Sequence, residues 1–107
     1  MTLIAYTKSI EMIQLIKPVI DAIKKHDKSL ADQIKRCSSS VVLNIAEGSV
    51  SQGGNQKSRY YNAFGSTKET RAAIKIALVW QYIDYKSYNK LENILDKISA
   101  LLYGLTK

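Results

Sequence analysis

Apolar residues recur along this chain at three- and four-residue steps in four separate stretches, the spacing of one helix face and not the alternation of a strand. In the first stretch Ile13, Leu15, Ile16, Val19, Ile20 and Ile23 form the stripe, Ser9 is the candidate cap, and the helix is predicted to run to about Lys25. Pro18 falls inside it, removing one backbone donor and crowding the preceding turn, so a kink or two shorter helical pieces are expected. After the polar link "HDKS" a second helix is predicted from about Ser29 to Glu47, with Gly48 as a left-handed stop. "SVSQGGN" reads as a flexible link, and Asn55 as the cap of a long third helix, about Gln56 to Ile83. "DYKS" then turns the chain into a fourth helix, about Tyr88 to Tyr103, with Tyr88, Leu91, Ile94, Leu95, Ile98, Leu101, Leu102 and Leu105 on its apolar side. Four helices with short connections predict an all-α fold, an antiparallel up-down four-helix bundle forming a single domain over residues 1–107.

Placed on a helical wheel, Gln33, Arg36, Ser40, Asn44 and Glu47 of the second helix fall within about 80° of one another. Leu30, Ile34, Cys37, Val41 and Ile45 form an adjacent apolar stripe that Ala31, Ser38 and Val42 widen, and Leu43 and Ala46 occupy other faces. This pattern predicts a helix buried on several sides with one narrow polar seam. The third helix offers a matching seam in Asn62, Ser66 and Glu69, with Gly65 beside them to permit close approach of two backbones. A polar helix–helix contact is the structural reading. The chemical alternative is a Glu47/Glu69 carboxylate pair for acid–base work or metal binding. A di-metal bundle wants Glu-x-x-His pairs on facing helices, and the one histidine, His26, sits at a helix end, where it complements the helix dipole from solvent.

Composition narrows the classes further. No run reaches the ~20 apolar residues that span a bilayer. Glu11 interrupts any signal-peptide-like core in "MTLIAYTKSIEM", so a cytoplasmic location is expected. The lone Cys37 excludes an intrachain disulfide and reads as a small buried hydrophobe. Ser38, Ser39 and Ser40 have no histidine partner, and "GSVSQGGN" lacks the Gly-Lys-Ser or Gly-Lys-Thr ending of a phosphate-binding loop. The expectation is therefore a protein that is not an enzyme, with no cofactor and no metal.

At this point the residues carry a resemblance. "QIKRCSSSVVLNIAEGS" resembles the signature of the four-helix-bundle proteins encoded in 23S ribosomal RNA intervening sequences, which show Gln-Ile-Arg-Arg-Ala, then Ser-Ile, then Asn-Ile-Ala-Glu-Gly. Gln33, Ile34, Arg36, Ser40, Asn44, Ile45, Ala46, Glu47 and Gly48 match at the same spacing. Downstream, "AFGSTKE" is similar to the family's Ala-x-Gly-Ser-x-x-Glu through Ala63, Gly65, Ser66 and Glu69. Lys35, Cys37 and Thr70 depart from the usual arginine, alanine and apolar residue. The resemblance covers about residues 28 to 105. It implies an antiparallel four-helix protomer that assembles into a ring-shaped homopentamer. It also implies kinship with the accessory variability determinant (Avd) proteins of diversity-generating retroelements, basic pentamers that bind nucleic acid and partner a reverse transcriptase. For the intervening-sequence branch itself it implies no particular biochemical activity.

Charge is what points from fold toward function. The chain carries a formal charge of +7, and residues 50 to 83 hold Lys57, Arg59, Lys68, Arg71 and Lys75 against the single carboxylate Glu69. Lys57, Phe64, Lys68, Arg71, Lys75 and Tyr82 share one face about 60° wide. Cations one or two turns apart can follow phosphates, and aromatics between them can stack on bases. Three readings of this face stay open: a nucleic-acid surface with Lys35 and Arg36 as weaker contributors, a subunit contact, and a solvated outer face. Trp80 and Tyr82 are expected to pack on the fourth helix or on a neighbouring protomer. The partners expected are other copies of the chain, RNA or DNA, and a reverse transcriptase, with no membrane. The competing expectation is an interaction adaptor that does not itself bind nucleic acid.

Overall fold

A computed structural model describes residues 3–107 of the chain. It contains four helices, α1 (Leu3–Lys24), α2 (Lys28–Ser49), α3 (Gly53–Val79) and α4 (Tyr85–Leu105), and no strand among the described residues. Each helix packs on two others: α2 on α1 and α3, and α4 on α3 and α1, with the α2–α3 contact the most extensive. The result is an elongated four-helix bundle of 42 × 22 × 19 Å.

The helix ends differ from the sequence expectation, for physical reasons. Ser9 caps nothing. Its hydroxyl is buried and donates to the Tyr6 carbonyl at 2.7 Å. The core stripe of α1 runs Ala5, Ser9, Met12, Ile16, Val19, Ile23, so Ser9 fills a core position of a helix that begins earlier. Pro18 lies on the exposed side of a helix that continues through it without breaking into two. Asp27, not Ser29, starts α2: its carboxylate accepts from the Leu30 N–H at 3.0 Å. Asp84 does the same for α4, accepting from Ser87 N–H at 2.8 Å, and these bonds hold its carboxyl below the usual range. The fourth helix is correspondingly longer than predicted.

The α2–α3 connection is only Val50–Gln52, because the two glycines of the expected link form the first turn of α3. Gly53 takes a φ of +58°, a conformation its missing Cβ permits. Asn55 lies inside the helix, and Gln56 closes the corner instead, its amide donating to the carbonyls of Gly48 and Ser51 at 3.0 Å each. Gly48 itself is helical and buried, not a stop.

The third helix ends at Val79, short of the predicted Ile83, in a Schellman turn. Tyr82 N–H donates to the Ala77 carbonyl and Gln81 N–H to that of Leu78, both at 2.9 Å. The left-handed residue of this turn is Gln81, at φ +63°. Glycine is the usual occupant, since a side chain there is strained. Gln81→Gly is expected to raise stability by about 0.5–1 kcal/mol. A lower urea midpoint for the variant would count against this turn.

The core is asymmetric in side-chain size. Met12, Ile16, Ile23, Ile34, Val41, Ile45, Leu91, Leu95, Ile98 and Leu102 fill it from α1, α2 and α4. The third helix contributes mainly Ala63, Thr67, Thr70, Ala73 and Ala77, with Tyr60 and Ile74 as its large members. Thr67 and Thr70 satisfy their hydroxyls on the carbonyls four residues back, at 2.8 Å. Small residues on this face let α3 lie close against α2.

Candidate nucleic-acid interface

The polar seam exists, but as a groove open to solvent between α2 and α3. Ser40 Oγ and Ser66 Oγ are 2.9 Å apart, and Asn44 Nδ2 donates to the Ser40 carbonyl at 2.9 Å and its hydroxyl at 3.0 Å. Gln33 Nε2 approaches Glu69 Oε2 at 3.5 Å, and Arg59 pairs with Glu47 at 3.0 Å. Glu47 and Glu69 thus meet different partners and do not form a carboxylate pair. Asn62 lines the groove, and among the described residues it makes no side-chain hydrogen bond and the exposed Arg36 has no carboxylate partner. Nor is α2 enclosed on several sides within the chain, for Leu43 is 61% exposed. A Cβ added at Gly65 would meet nothing within 4 Å, so no backbone approaches it. The close approach is at Gly48, where an added Cβ would lie 2.5 Å from Tyr60 Cε1.

Two of the three departures from the motif touch one another. The Thr70 hydroxyl lies 3.2 Å from Cys37 Sγ, and Cys37 is buried. Burial pushes its thiol up from the ordinary range, against the hydrogen bond from Thr70. A protonated, enclosed thiol is a poor nucleophile.

Of the ridge on α3, Lys57, Lys68 and Lys75 are exposed. Lys68 lies over the Phe64 ring at 5.2 Å and Lys75 over Tyr88 at 5.1 Å, contacts that keep each ammonium at the surface above an aromatic base. Phe64 is half-buried against the core and tilted on Tyr103, with centroids 6.2 Å apart. Tyr82 leaves this face altogether. It follows the Schellman turn and stacks on His26, with centroids 5.2 Å apart and planes 2° from parallel. His26 is accordingly a stacking partner at a bundle end, beyond its expected place near a helix terminus.

Arg71 points inward to α4. Its Nε donates to Glu92 Oε1 at 3.1 Å, its Nη2 to Glu92 Oε2, and its Nη1 to Ser99 Oγ at 3.3 Å. Asp96 adds a carboxylate at 3.4 Å. Glu92 raises the guanidinium pKa further above its ordinary value. Sequence reasoning missed Glu92 and Asp96, although their four-residue spacing puts two acids on one helical face.

Charge across the described residues is divided unevenly. Glu11, Asp21, Glu47, Glu92 and Asp96 form ion pairs, Asp27 and Asp84 cap helices, and Glu69 contacts Gln33. Only Lys8, Lys17, Arg59 and Arg71 of the sixteen basic side chains pair with a carboxylate, leaving twelve without one. Lys35 and Arg36 are among the twelve and stand on the exposed side of α2 with Lys28 and Asp32. No group of three His, Cys, Asp or Glu that could hold a metal occurs among the described residues. No helix there is long and apolar enough to cross a membrane.

Comparison with known proteins adds two findings. The chain is similar to a protein of unknown function from the S23 ribosomal protein family of Bacteroides thetaiotaomicron, whose crystal structure superposes with a TM-score of 0.86 at 21% identity over 96% of this chain and 98% of that one. At that identity the likeness concerns the fold. No curated protein matches the chain. The sequence model of the 23S rRNA-intervening sequence proteins matches residues 1–104, which includes both motifs and all four helices except the last residue of α4. The chain belongs to the 23S rRNA-intervening sequence protein family.

Proposed function

We propose that this protein is a non-enzymatic, homo-oligomeric basic bundle that binds RNA or DNA through phosphate contacts, with little dependence on base sequence. The observation that carries this reading is the division of charge: among the described residues nearly all carboxylates are engaged while twelve cations have no acidic partner. Lys57, Lys68 and Lys75 on α3 hold phosphates, and Lys35 and Arg36 on α2 add to the field. The protomer is an antiparallel up-down bundle, and its assembly is a ring-shaped homopentamer. Exposed Leu43, Ile76 and Val79 supply apolar area for contact between copies. Five weak surfaces on one ring would add avidity. Service as an accessory to a reverse transcriptase is the partner role that fits such a ring. The same apolar residues favour, as a second reading, an adaptor that holds a protein partner and has no nucleic-acid affinity of its own.

The test is fluorescence anisotropy of a labelled DNA duplex against salt, with light scattering on the same samples. Three phosphate contacts predict about 40-fold weaker binding at 200 mM than at 50 mM salt. Combining Lys57→Glu, Lys68→Glu and Lys75→Glu should abolish binding while the scattered mass stays that of the wild type. Unchanged affinity and salt slope in the triple variant would remove the ridge. A wild-type protein that fails to bind even at 50 mM salt would leave the adaptor.

A further inference from the structure

The stacked pair of His26 and Tyr82 does more than replace an expected contact. It brings the α1–α2 link and the α3–α4 link together at one end of the bundle. Lys24, Lys25 and Lys28 flank the first link and Lys86 follows the second, all exposed and none paired with a carboxylate. Asp27 and Asp84 in these links cap α2 and α4 and only partly offset the lysines, Asp84 through Lys86, so four cations against two carboxylates leave this end positive. At the same end the second link and the first residue of α4 present two large aromatic side chains to solvent, Trp80 at 66% and Tyr85 at 67% exposure. Elsewhere on the bundle Lys68 and Lys75 lie beside the half-buried Phe64 and the buried Tyr88, and Lys107 lies over the exposed Tyr103.

Open aromatic faces among cations suit one ligand chemistry better than a duplex does. A duplex hides its base faces and offers only phosphates, whereas a single strand offers both, and base–aromatic stacking tolerates any sequence. We propose that this end of the bundle is a binding site for single-stranded nucleic acid, with Trp80 and Tyr85 stacking on bases and Lys24, Lys25, Lys28 and Lys86 holding the intervening phosphates. The inference rests on the reading of the chain as a nucleic-acid binder, and it moves the single-strand site away from the α3 ridge.

Trp80 is the only tryptophan, so it reports on its own surroundings. Binding of a fluorescein-labelled oligothymidylate should be followed by anisotropy, and that of the unlabelled oligomer by Trp80 emission. Stacking predicts quenching that saturates at the same concentration as the anisotropy. Trp80→Ala should weaken single-strand binding by at least about fivefold, and combining Lys24→Ala, Lys25→Ala and Lys28→Ala should reduce the salt slope. Duplex binding should change little in Trp80→Ala. Circular dichroism of each variant checks that the fold is retained, which exposed positions favour. Anisotropy that rises while Trp80 emission and the Trp80→Ala affinity stay unchanged would sink the end site and leave the α3 ridge standing. No anisotropy change with the oligothymidylate would sink the end site, and the duplex titration then decides separately on the α3 ridge. Emission already blue-shifted in the free oligomer, and red-shifted on its dissociation, would assign this end to contact between copies instead.

Discussion

Replacing Gly48 by alanine should destabilise the protein by about 2 kcal/mol, although alanine is the better helix former. In a helix interior the change alone would gain about 1 kcal/mol. The added carbon, however, would lie 2.5 Å from Tyr60 Cε1 and 2.7 Å from Cδ1, and Tyr60 is only 2% exposed. A buried ring has nowhere to swing, and overpacking of this kind costs about 1–3 kcal/mol or more. The expected fall in thermal midpoint is on the order of 10 °C for a chain of this size. Gly65→Ala is the matched control. It is helical, exposed and without a neighbour within 4 Å, so the same substitution there should raise the midpoint by about 5 °C. Two glycines in adjacent helices should therefore answer the same mutation with opposite signs. A rise at both positions would mean that α2 and α3 are farther apart than described.

Removing the Arg71 fork should cost about 2 kcal/mol. Its side chain is 21% exposed and that of Glu92 27%, so the pair is shielded enough to exceed an ordinary surface ion pair. Arg71→Met preserves much of the stem packing and deletes the charge. Glu92 and Asp96 are then left four residues apart on α4 with no cation between them, an unfavourable like-charge pair. Arg71→Lys should recover only part of the loss, since an ammonium cannot span both Glu92 oxygens and Ser99. In a double-mutant cycle, Glu92→Gln should lose its cost in the Arg71→Met background and stabilise slightly, by about 0.2–0.5 kcal/mol, as the repulsion from Asp96 is relieved. Additive effects would show that the two side chains do not act together. Nucleic-acid affinity is a second readout. A fork committed to α4 predicts that Arg71→Met changes binding far less than Lys68→Glu does.

The four helices were legible because their stripes repeat at three and four residues over long stretches, and periodicity tolerates an occasional serine or glycine. The ends were not, for the same reason. Ser9 looks like a cap and occupies a core position, while Tyr82 and Ile83 continue the apolar pattern past a turn made by Gln81. The Ser40–Ser66 contact followed from matching faces on two helices. Arg71 could not be placed by its own helix, because what decides its direction is a pair of acids on another. Gly48 and Gly65 illustrate a further limit. Both lie in recognisable motifs, yet which one admits a neighbour depends on how α2 and α3 cross, and no local pattern encodes that.

The small-residue face of α3 bears on how the chain assembles as well as on how it packs. α2 and α3 share the broadest contact and are separated by only Val50–Gln52. Closing so short a loop forfeits little chain entropy before the contacts repay it. The α1–α2 link is equally short, so it is the broader contact that makes the α2–α3 hairpin the expected folding nucleus, with α1 and α4 docking afterwards. Both family motifs lie within that hairpin, so the residues that mark the family are also those that would direct the first productive encounter of the chain with itself.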